Sequence, residues 1–123
     1  MPDRATLEAF IAMVEANDHV GAIRDFYAED ATMQENLTEP PRRGRQALMD
    51  HEAAVLKRVK AVRSRCVRPV LVEGDTVVIH WIFEFDLPDG KTRRIEELAQ
   101  QTWSGGKIRS ERFYYDPAQR EAR

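Results

Sequence analysis

β-Branched and aromatic residues dominate much of the second half of the chain, and their pattern predicts a β-meander over residues 66–116. Residues 77–85 are apolar at most positions, as is typical of a long strand. The Pro-Asp-Gly sequence at residues 88–90 and the Ser-Gly-Gly sequence at residues 104–106 each predict a tight turn between antiparallel strands. The strands expected from this pattern are residues 66–72, 77–85, 94–103 and 107–116.

The first half of the chain carries the helical spacing of apolar residues. Intervals of three and four predict an amphipathic helix over residues 4–16. Asp18 can cap a second helix, residues 31–35 are expected to form a short strand, and a third helix runs from residue 46 to about residue 60. A loop over residues 36–44 separates that strand from the third helix. This order predicts an α+β fold, with three N-terminal helices packed on a strongly curved, mostly antiparallel sheet.

Composition narrows the class of protein. The chain has 123 residues, of which 42% are hydrophobic and 33% charged, as expected of one globular domain spanning residues 1–123. A net charge of −2 argues against nucleic acid or an anionic membrane as a partner, and no apolar run is long enough to cross a bilayer. The single cysteine, Cys66, cannot form an internal disulfide and favours a reducing, cytoplasmic location.

Two segments resemble a known family. Phe-Tyr-Ala-Glu-Asp-Ala-Thr at residues 26–32, followed by Pro-Pro-Arg-Arg-Gly-Arg-Gln-Ala-Leu at residues 40–48, is similar to the helix-strand-loop-helix signature of the nuclear transport factor 2-like superfamily. The similar branch contains SnoaL-like polyketide cyclases and ketosteroid isomerases. The resemblance implies a conical α+β barrel with a pocket between sheet and helices, commonly in a homodimer. It does not fix the function, because this fold hosts isomerases, cyclases, dehydratases, hydrolases and binding proteins.

The same resemblance points to candidate site residues. Glu35 falls where the isomerases keep an aspartate base, and burial in an apolar pocket would raise its pKa into a useful range. The alternative is a solvated glutamate at the end of a strand. Ile11 and Ala99 stand where the isomerases have their oxyanion donors, which argues against genuine ketosteroid isomerase activity. Tyr27 and Glu52 fall at the positions of two pocket tyrosines of that branch. The alternative role is a core aromatic for Tyr27 and a residue on a solvated helix face for Glu52.

Cross-strand pairing assigns the remaining candidates to faces of the sheet. The assignment assumes a two-residue turn at residues 89–90 and a three-residue loop at residues 104–106. The resemblance to the family implies that Ala99, Glu111, Phe113 and Tyr115 lie on the pocket side. The face expected to line the pocket then carries His80, Ile82, Glu84, Glu97, Ala99, Gln101, Glu111, Phe113 and Tyr115. The face expected to lie outside carries Val77, Ile79, Trp81, Phe83, Phe85, Leu98, Arg112 and Tyr114. A bulge near Asp86 would swap the two faces for residues 77–85.

Metal and anion sites have weaker signals. The three histidines, His19, His51 and His80, lack the spacing of a metal-binding motif, so no metal and no cofactor is expected. The arginines at positions 42, 43 and 45 could bind an anion at the pocket mouth or at the start of the third helix. A solvated basic loop is the more common role of such a run.

Three functions remain open. The first is acid–base catalysis of the isomerase, cyclase or dehydratase type on an apolar cyclic or polyketide-like substrate, with Glu35 as base and Glu97 and Glu111 as further catalytic groups. Ligand contacts are then expected from Tyr27, Glu52, His80, Gln101, Phe113 and Tyr115. The second is a non-catalytic ligand-binding module. The third is an interaction domain that uses the outer face, where an apolar patch also predicts a homodimer; that patch comprises Trp81, Phe83, Leu98 and Tyr114.

Overall fold

The structure, a computed structural model, describes all of residues 1–123. Its helices are α1 (Arg4–Glu15), α2 (His19–Phe26) and α3 (Arg45–Lys57). Its strands are β1 (Tyr27–Glu35), β2 (Arg42–Arg43), β3 (Ala61–Glu73), β4 (Thr76–Asp86), β5 (Thr92–Ser104) and β6 (Lys107–Tyr114). A short 3-10 helix over Pro117–Arg120 follows the last strand. None of the three α-helices has the length and apolar character needed to cross a bilayer.

The six strands form one open sheet in the order β2-β1-β6-β5-β4-β3. All neighbouring pairs are antiparallel except β1 and β6, which run parallel. Register shifts in three of the strand pairs mark bulges or irregularities, and bulges bend strands. The predicted α+β fold, with helices packed on a mostly antiparallel sheet, is confirmed. The sheet is not closed into a complete barrel, because β2 and β3 are its two edges.

The first two helices begin at aspartates that cap them. The Asp3 side chain accepts from the backbone N–H of Thr6 at 2.7 Å, and the Asp18 side chain accepts from Gly21 N–H at 3.0 Å. The apolar stripe predicted for α1 is buried against the sheet; its members are Leu7, Phe10, Ile11 and Val14. The helices therefore cover one face of the sheet, called the inner face below.

The hairpin between β4 and β5 differs from the predicted two-residue turn. Leu87 N–H donates to the carbonyl of Lys91 at 2.8 Å, and Gly90 N–H donates to the carbonyl of Leu87 at 3.1 Å. The loop therefore contains three residues, and Gly90 takes the left-handed conformation with φ of 89°. The extra loop residue shifts the pairing by one position, so that Trp81 rather than Ile82 lies opposite Glu97.

This shift reverses the faces predicted for β4, because side chains alternate along a strand. Trp81 is 2% exposed and, like Phe83, lies on the inner face. His80 and Glu84 lie on the outer face instead. The predicted outer patch of Trp81, Phe83, Leu98 and Tyr114 is therefore wrong for its first two members.

The hairpin between β5 and β6 also has a different loop length. Gly105 and Gly106, with φ of 60° and 74°, form a two-residue turn, and Ser104 pairs with Lys107. A bulge beside Trp103 then restores the predicted alternation, although Ala99 pairs with Phe113 rather than with Glu111. The inner-face assignment therefore holds for these members of β5 and β6: Glu97, Ala99, Gln101, Glu111 and Phe113.

Candidate active site in the inner-face cavity

A cavity of about 310 Å³ lies between the helices and the inner face of the sheet. Thirteen of its 22 lining residues are hydrophobic, which suits a small, mainly apolar ligand. Its apolar wall includes Phe10, Val14, Ile23, Trp81, Phe83 and Phe85. Carboxyl, hydroxyl and guanidinium groups interrupt this wall at defined places.

Glu111 on β6 lies at a buried part of the cavity wall and is 4% exposed. The Tyr27 hydroxyl donates to its Oε1, and Gln101 Nε2 donates to its Oε2 at 2.6 Å. Trp103 Nε1 in turn donates to Gln101 Oε1 at 2.9 Å, which fixes the orientation of the Gln101 amide. Burial raises the pKa of Glu111 to about 7, although the two hydrogen bonds act in the opposite direction. Near neutral pH this side chain can therefore either accept or release a proton.

Glu97 on β5 is a carboxyl without a partner. It is 8% exposed, and its Oε2 is completely buried with no hydrogen bond. Burial raises the pKa of Glu97 well above 4.5, and the negative charges of Glu111, Glu35 and Glu52 raise it further. Since an unpaired carboxylate is costly in such a place, the environment favours the neutral form of Glu97.

Tyr27 remains a hydrogen-bond donor over the whole physiological range. Burial raises its pKa well above 10, and the neighbouring charge of Glu111 adds to this effect. Because β1 begins at Tyr27 and pairs with β6, the hydroxyl reaches Glu111 from the neighbouring strand. Its contact with Glu111 therefore stabilises the carboxylate form of that residue.

Glu35 lies at the cavity wall near the end of β1, and its side chain is 26% exposed. Tyr115 OH donates to its Oε1 at 2.6 Å, and Arg42 donates to its Oε2 at 3.0 Å. Burial raises the pKa of Glu35, but these two donors outweigh it and leave the pKa below 4.5. The expected rise in pKa is wrong because β2 pairs with β1 and brings Arg42 alongside.

A second network continues from Tyr115. Arg120 Nε donates to the Tyr115 hydroxyl at 2.9 Å, and Arg120 also pairs with Glu39 at 2.6 Å. Burial, followed by the hydrogen bond to Glu35, raises the pKa of Tyr115 to about 12. Tyr115 is therefore a protonated donor that holds Glu35 in place.

His19 is a cavity residue that the sequence analysis considered only as a possible metal ligand. Its Nδ1 lies 3.1 Å from Glu52 Oε1, and its Nε2 lies 2.7 Å from Ser64 Oγ. His19 is 7% exposed, and Glu52 reaches the cavity from α3. The signal that could have found this pair is the position of His19 in the first turn of α2, on its buried side.

Arg93 is a second cavity residue that sequence reasoning missed. It lies on β5 directly opposite Phe85, and its guanidinium carbon is 5.0 Å from the centre of the Phe85 ring. Its Nε is buried without a hydrogen-bond partner, and no carboxylate forms a salt bridge with it. Counting back in steps of two from Glu97 would have placed Arg93 on the inner face.

The structure brings most of the predicted site residues to one cavity. Those that line it are Tyr27, Glu35, Glu52, Glu97, Glu111, Phe113 and Tyr115. Gln101 lies behind Glu111 and contacts it through its amide. His80 does not belong to the site: it lies on the outer face, where its Nε2 is 2.6 Å from Glu96 Oε2. The one-residue shift in the β4–β5 hairpin is the reason. No group of three or more His, Cys, Asp or Glu side chains is arranged to hold a metal ion.

Comparison with known proteins identifies a family whose sequence pattern matches this chain. The residue pattern that defines the SnoaL-like domain matches residues 7–111, which is most of the chain. Among curated proteins, none matches the sequence.

Three solved structures illustrate the likeness in fold. A Mesorhizobium loti protein classed as SnoaL-like has 23% identity and a TM-score of 0.77, with 94% of this chain and 100% of that chain covered. TerC, co-crystallised with polyporic acid, has 17% identity and a TM-score of 0.76, covering 93% and 91%. A Catenulispora acidiphila protein with a ketosteroid isomerase-like fold, in complex with trimethylamine, has 16% identity and a TM-score of 0.77, covering 98% and 91%. At these identities the likeness establishes the fold alone.

Proposed function

Since the chain belongs to the family of SnoaL-like domains, we propose that its cavity binds a small, mainly apolar cyclic molecule and performs acid–base chemistry on it with Glu97 and Glu111. One observation carries this proposal: a buried carboxyl, Glu97, meets the cavity with no partner of its own. Burying such a group without compensation is costly, and perturbed carboxyls in clefts are typical of catalytic sites.

The two carboxyls have complementary properties. The pKa of Glu97 is raised well above 4.5 by burial, whereas Glu111 has a pKa of about 7 and is close to half ionised at neutral pH. A pair of titratable groups whose environments separate their proton affinities is the arrangement that general acid–base catalysis uses. Tyr27 and Gln101 support the ionised form of Glu111, because each donates to one of its oxygens.

The proposed reaction begins when the Glu111 carboxylate removes a proton from a carbon next to a substrate carbonyl group. The electron pair of the broken C–H bond moves toward the carbonyl oxygen, which accepts a hydrogen bond or the proton from Glu97. In an isomerisation, Glu111 then returns its proton to another carbon of the conjugated enol or enolate, and any proton given by Glu97 goes back to it as the carbonyl re-forms. In a cyclisation, the enolate carbon attacks a second carbonyl carbon of the same molecule, the C=O π bond opens, and the proton held by Glu111 passes to that oxygen. Either outcome conserves electrons, so no oxidant is consumed.

Glu97 also supplies an oxyanion donor, the kind of group that the isomerases have at the position of Ala99. The two residues lie on the same face of β5, one inner-face position apart, and both are buried. A protonated carboxylic acid in an apolar environment can stabilise a developing oxyanion. The proposal therefore assigns this role to Glu97 and needs no tyrosine at Ile11.

Glu35 remains a candidate base, but its pairing with Arg42 and Tyr115 lowers its basicity. The same pairing is the observation that favours the alternative function, a non-catalytic ligand-binding module. In that case the carboxyls would hold a ligand through hydrogen bonds without moving a proton. Two proteins of similar fold have been crystallised with small organic molecules, which supports ligand binding and leaves turnover to experiment.

Hydrogen–deuterium exchange separates the two functions without knowledge of the natural substrate. The probe is 2-tetralone in D₂O near neutral pH, and mass spectrometry follows deuterium uptake at the carbons beside its carbonyl. We expect exchange above the buffer rate, abolished in Glu111→Gln and strongly reduced in Glu97→Gln. Glu96→Gln is the matched control, because Glu96 is the next residue of β5 and is exposed on the outer face. Binding of 2-tetralone without enhanced exchange would favour the binding module.

The homodimer predicted from sequence stays a prediction, with a revised contact face. Leu98 is 46% exposed on the outer face, and Leu71, 59% exposed, lies beside it around a shallow groove. We propose that a second copy of the chain covers this face. Sedimentation velocity should give a dimer at micromolar concentration that Leu98→Lys dissociates, whereas a wild-type monomer would contradict the proposal.

A further inference from the structure

We infer that the cavity takes a cyclic carboxylic acid and that Arg93 binds the carboxylate of this ligand. The inference rests on the proposed function for the ligand's apolar ring, and it adds the chemical group that orients the ligand. The observation behind it is an unpaired cation in the wall of the cavity.

Three arginines line the cavity, and their partners differ. Arg42 pairs with Glu35 at 3.0 Å, and Arg120 pairs with Glu39 at 2.6 Å. Arg93 has no carboxylate partner; its buried Nε lacks a hydrogen-bond acceptor, as the Nε of Arg42 also does, so the missing ion pair is what sets Arg93 apart. A partly buried guanidinium without a counterion is costly, and a ligand anion would remove that cost.

The position of Arg93 suits a carboxylate. Its guanidinium lies over the Phe85 ring at 5.0 Å, and the cross-strand pairing of these two residues holds it there. A guanidinium stacked on a ring keeps its edge free, and the N–H groups of that edge match the two oxygens of a carboxylate. Two members of the arginine run suspected from sequence are engaged elsewhere, since Arg42 pairs with Glu35 and Arg45 donates to the carbonyl of Tyr27 at 3.3 Å.

The spacing between Arg93 and Glu97 sets the size of the ligand. The two residues are four positions apart on the same face of β5, or about 13 Å between Cα atoms. The side chain of Ile95 lies between them, also at the cavity wall. A carboxylate at Arg93, a ring against this apolar segment and an oxygen at Glu97 therefore describe a bicyclic or aromatic acid with a second oxygen at its far end.

The other acidic groups of the cavity leave Arg93 unpaired. Arg42 pairs with Glu35, and burial raises the pKa of Glu97, which favours its neutral form. Glu52 lies beside His19, and Glu111 lies beyond Glu97 along the wall, next to Gln101. The end of the cavity near Arg93 therefore carries an uncompensated positive charge.

A pair of isosteric probes tests this inference. Calorimetry at low salt compares the binding of 2-naphthoate and of its neutral amide, 2-naphthamide, to the wild-type protein and to three variants. We expect 2-naphthoate to bind at least ~tenfold more tightly than the amide, because hydrogen bonds to a charged group are stronger than neutral ones. Arg93→Gln should remove that preference, and Arg93→Lys should restore part of it. Arg94→Gln is the matched control, since Arg94 is the next residue, exposed and paired with Glu96 at 3.5 Å.

Several outcomes would overturn the inference. Equal affinity of the wild type for both probes would do so, as would an equal loss in Arg93→Gln and Arg94→Gln, or no binding of either probe. Circular dichroism and the retained affinity of each variant for 2-naphthamide exclude a folding defect. Because the readout is binding alone, a lack of deuterium exchange would leave this inference standing, and a lack of carboxylate preference would leave the proposed chemistry standing.

Discussion

Replacing Glu111 by Gln should remove a measurable part of the pH dependence of folding stability. Burial raises the pKa of Glu111 from 4.5 to about 7, so the folded protein binds this proton more tightly than the unfolded chain does. Stability from this group is complete below about pH 4.5, falls as the pH rises, and is lost above about pH 7. Between pH 5 and pH 8 the two pKa values correspond to a loss of about 2–3 kcal/mol in the free energy of unfolding.

Urea denaturation at pH 5 and pH 8 measures this loss. Between pH 5 and pH 8 the wild type should lose about 2–3 kcal/mol more of its free energy of unfolding than Glu111→Gln does. Any fixed cost of placing an amide against Gln101 cancels, because it contributes equally at both pH values. Glu29→Gln, at an exposed position on β1, is the control and should follow the wild type. If Glu111→Gln kept the wild-type difference, the burial argument for this carboxyl would be refuted.

Two further substitutions test the first hairpin and the environment of Glu35. Gly90→Val should lower the free energy of unfolding by about 1–2 kcal/mol in urea denaturation, because a β-branched residue is strained at φ of 89°; unchanged stability would contradict the observed turn. Arg42→Gln should raise the pKa of Glu35, because it removes a hydrogen-bonded cation from that carboxylate. NMR titration of the Glu35 carboxyl carbon measures the shift, and an unchanged pKa would mean that the pair contributes nothing.

Local signals in the sequence were sufficient for most of the fold. The apolar spacing of residues 4–16 fixed the buried side of α1, and the capping aspartate at position 18 marked the start of α2. The short β2 strand was not predicted, because two arginines within a proline-rich loop show no hydrophobic periodicity. That omission mattered for the site, since β2 places Arg42 next to Glu35.

The register of β4 could not be read from its turn alone. A Pro-Asp-Gly sequence fits both a two-residue turn and a three-residue loop with a left-handed glycine, and the two differ by one residue in pairing. The hydrophobic pattern favours the observed register, because it buries Val77, Ile79 and Trp81. Weighing burial above turn type would have placed His80 on the outer face.

The positions of the acidic residues in the site were easier to predict from sequence than the contacts that these residues make. Glu97 shares a face of β5 with Ala99 by simple alternation, and Glu111 kept its predicted face because the two-residue turn and the bulge beside Trp103 cancel in parity. The raised pKa of Glu97 reflects burial without a nearby donor, which is a property of three-dimensional packing. The unpaired state of Arg93 depends in the same way on where every other carboxylate lies.

The protonation state of Glu97 is the property on which the proposed chemistry depends, and one titration measures it. NMR of protein labelled with ¹³C at glutamate side-chain carboxyls follows each signal with pH, and Glu97→Gln identifies the signal of interest. We expect the Glu97 carboxyl to keep the chemical shift of a protonated acid at pH 7, because its pKa lies well above 4.5. Titration of that signal near 4.5 would contradict the assignment of Glu97 as the proton donor.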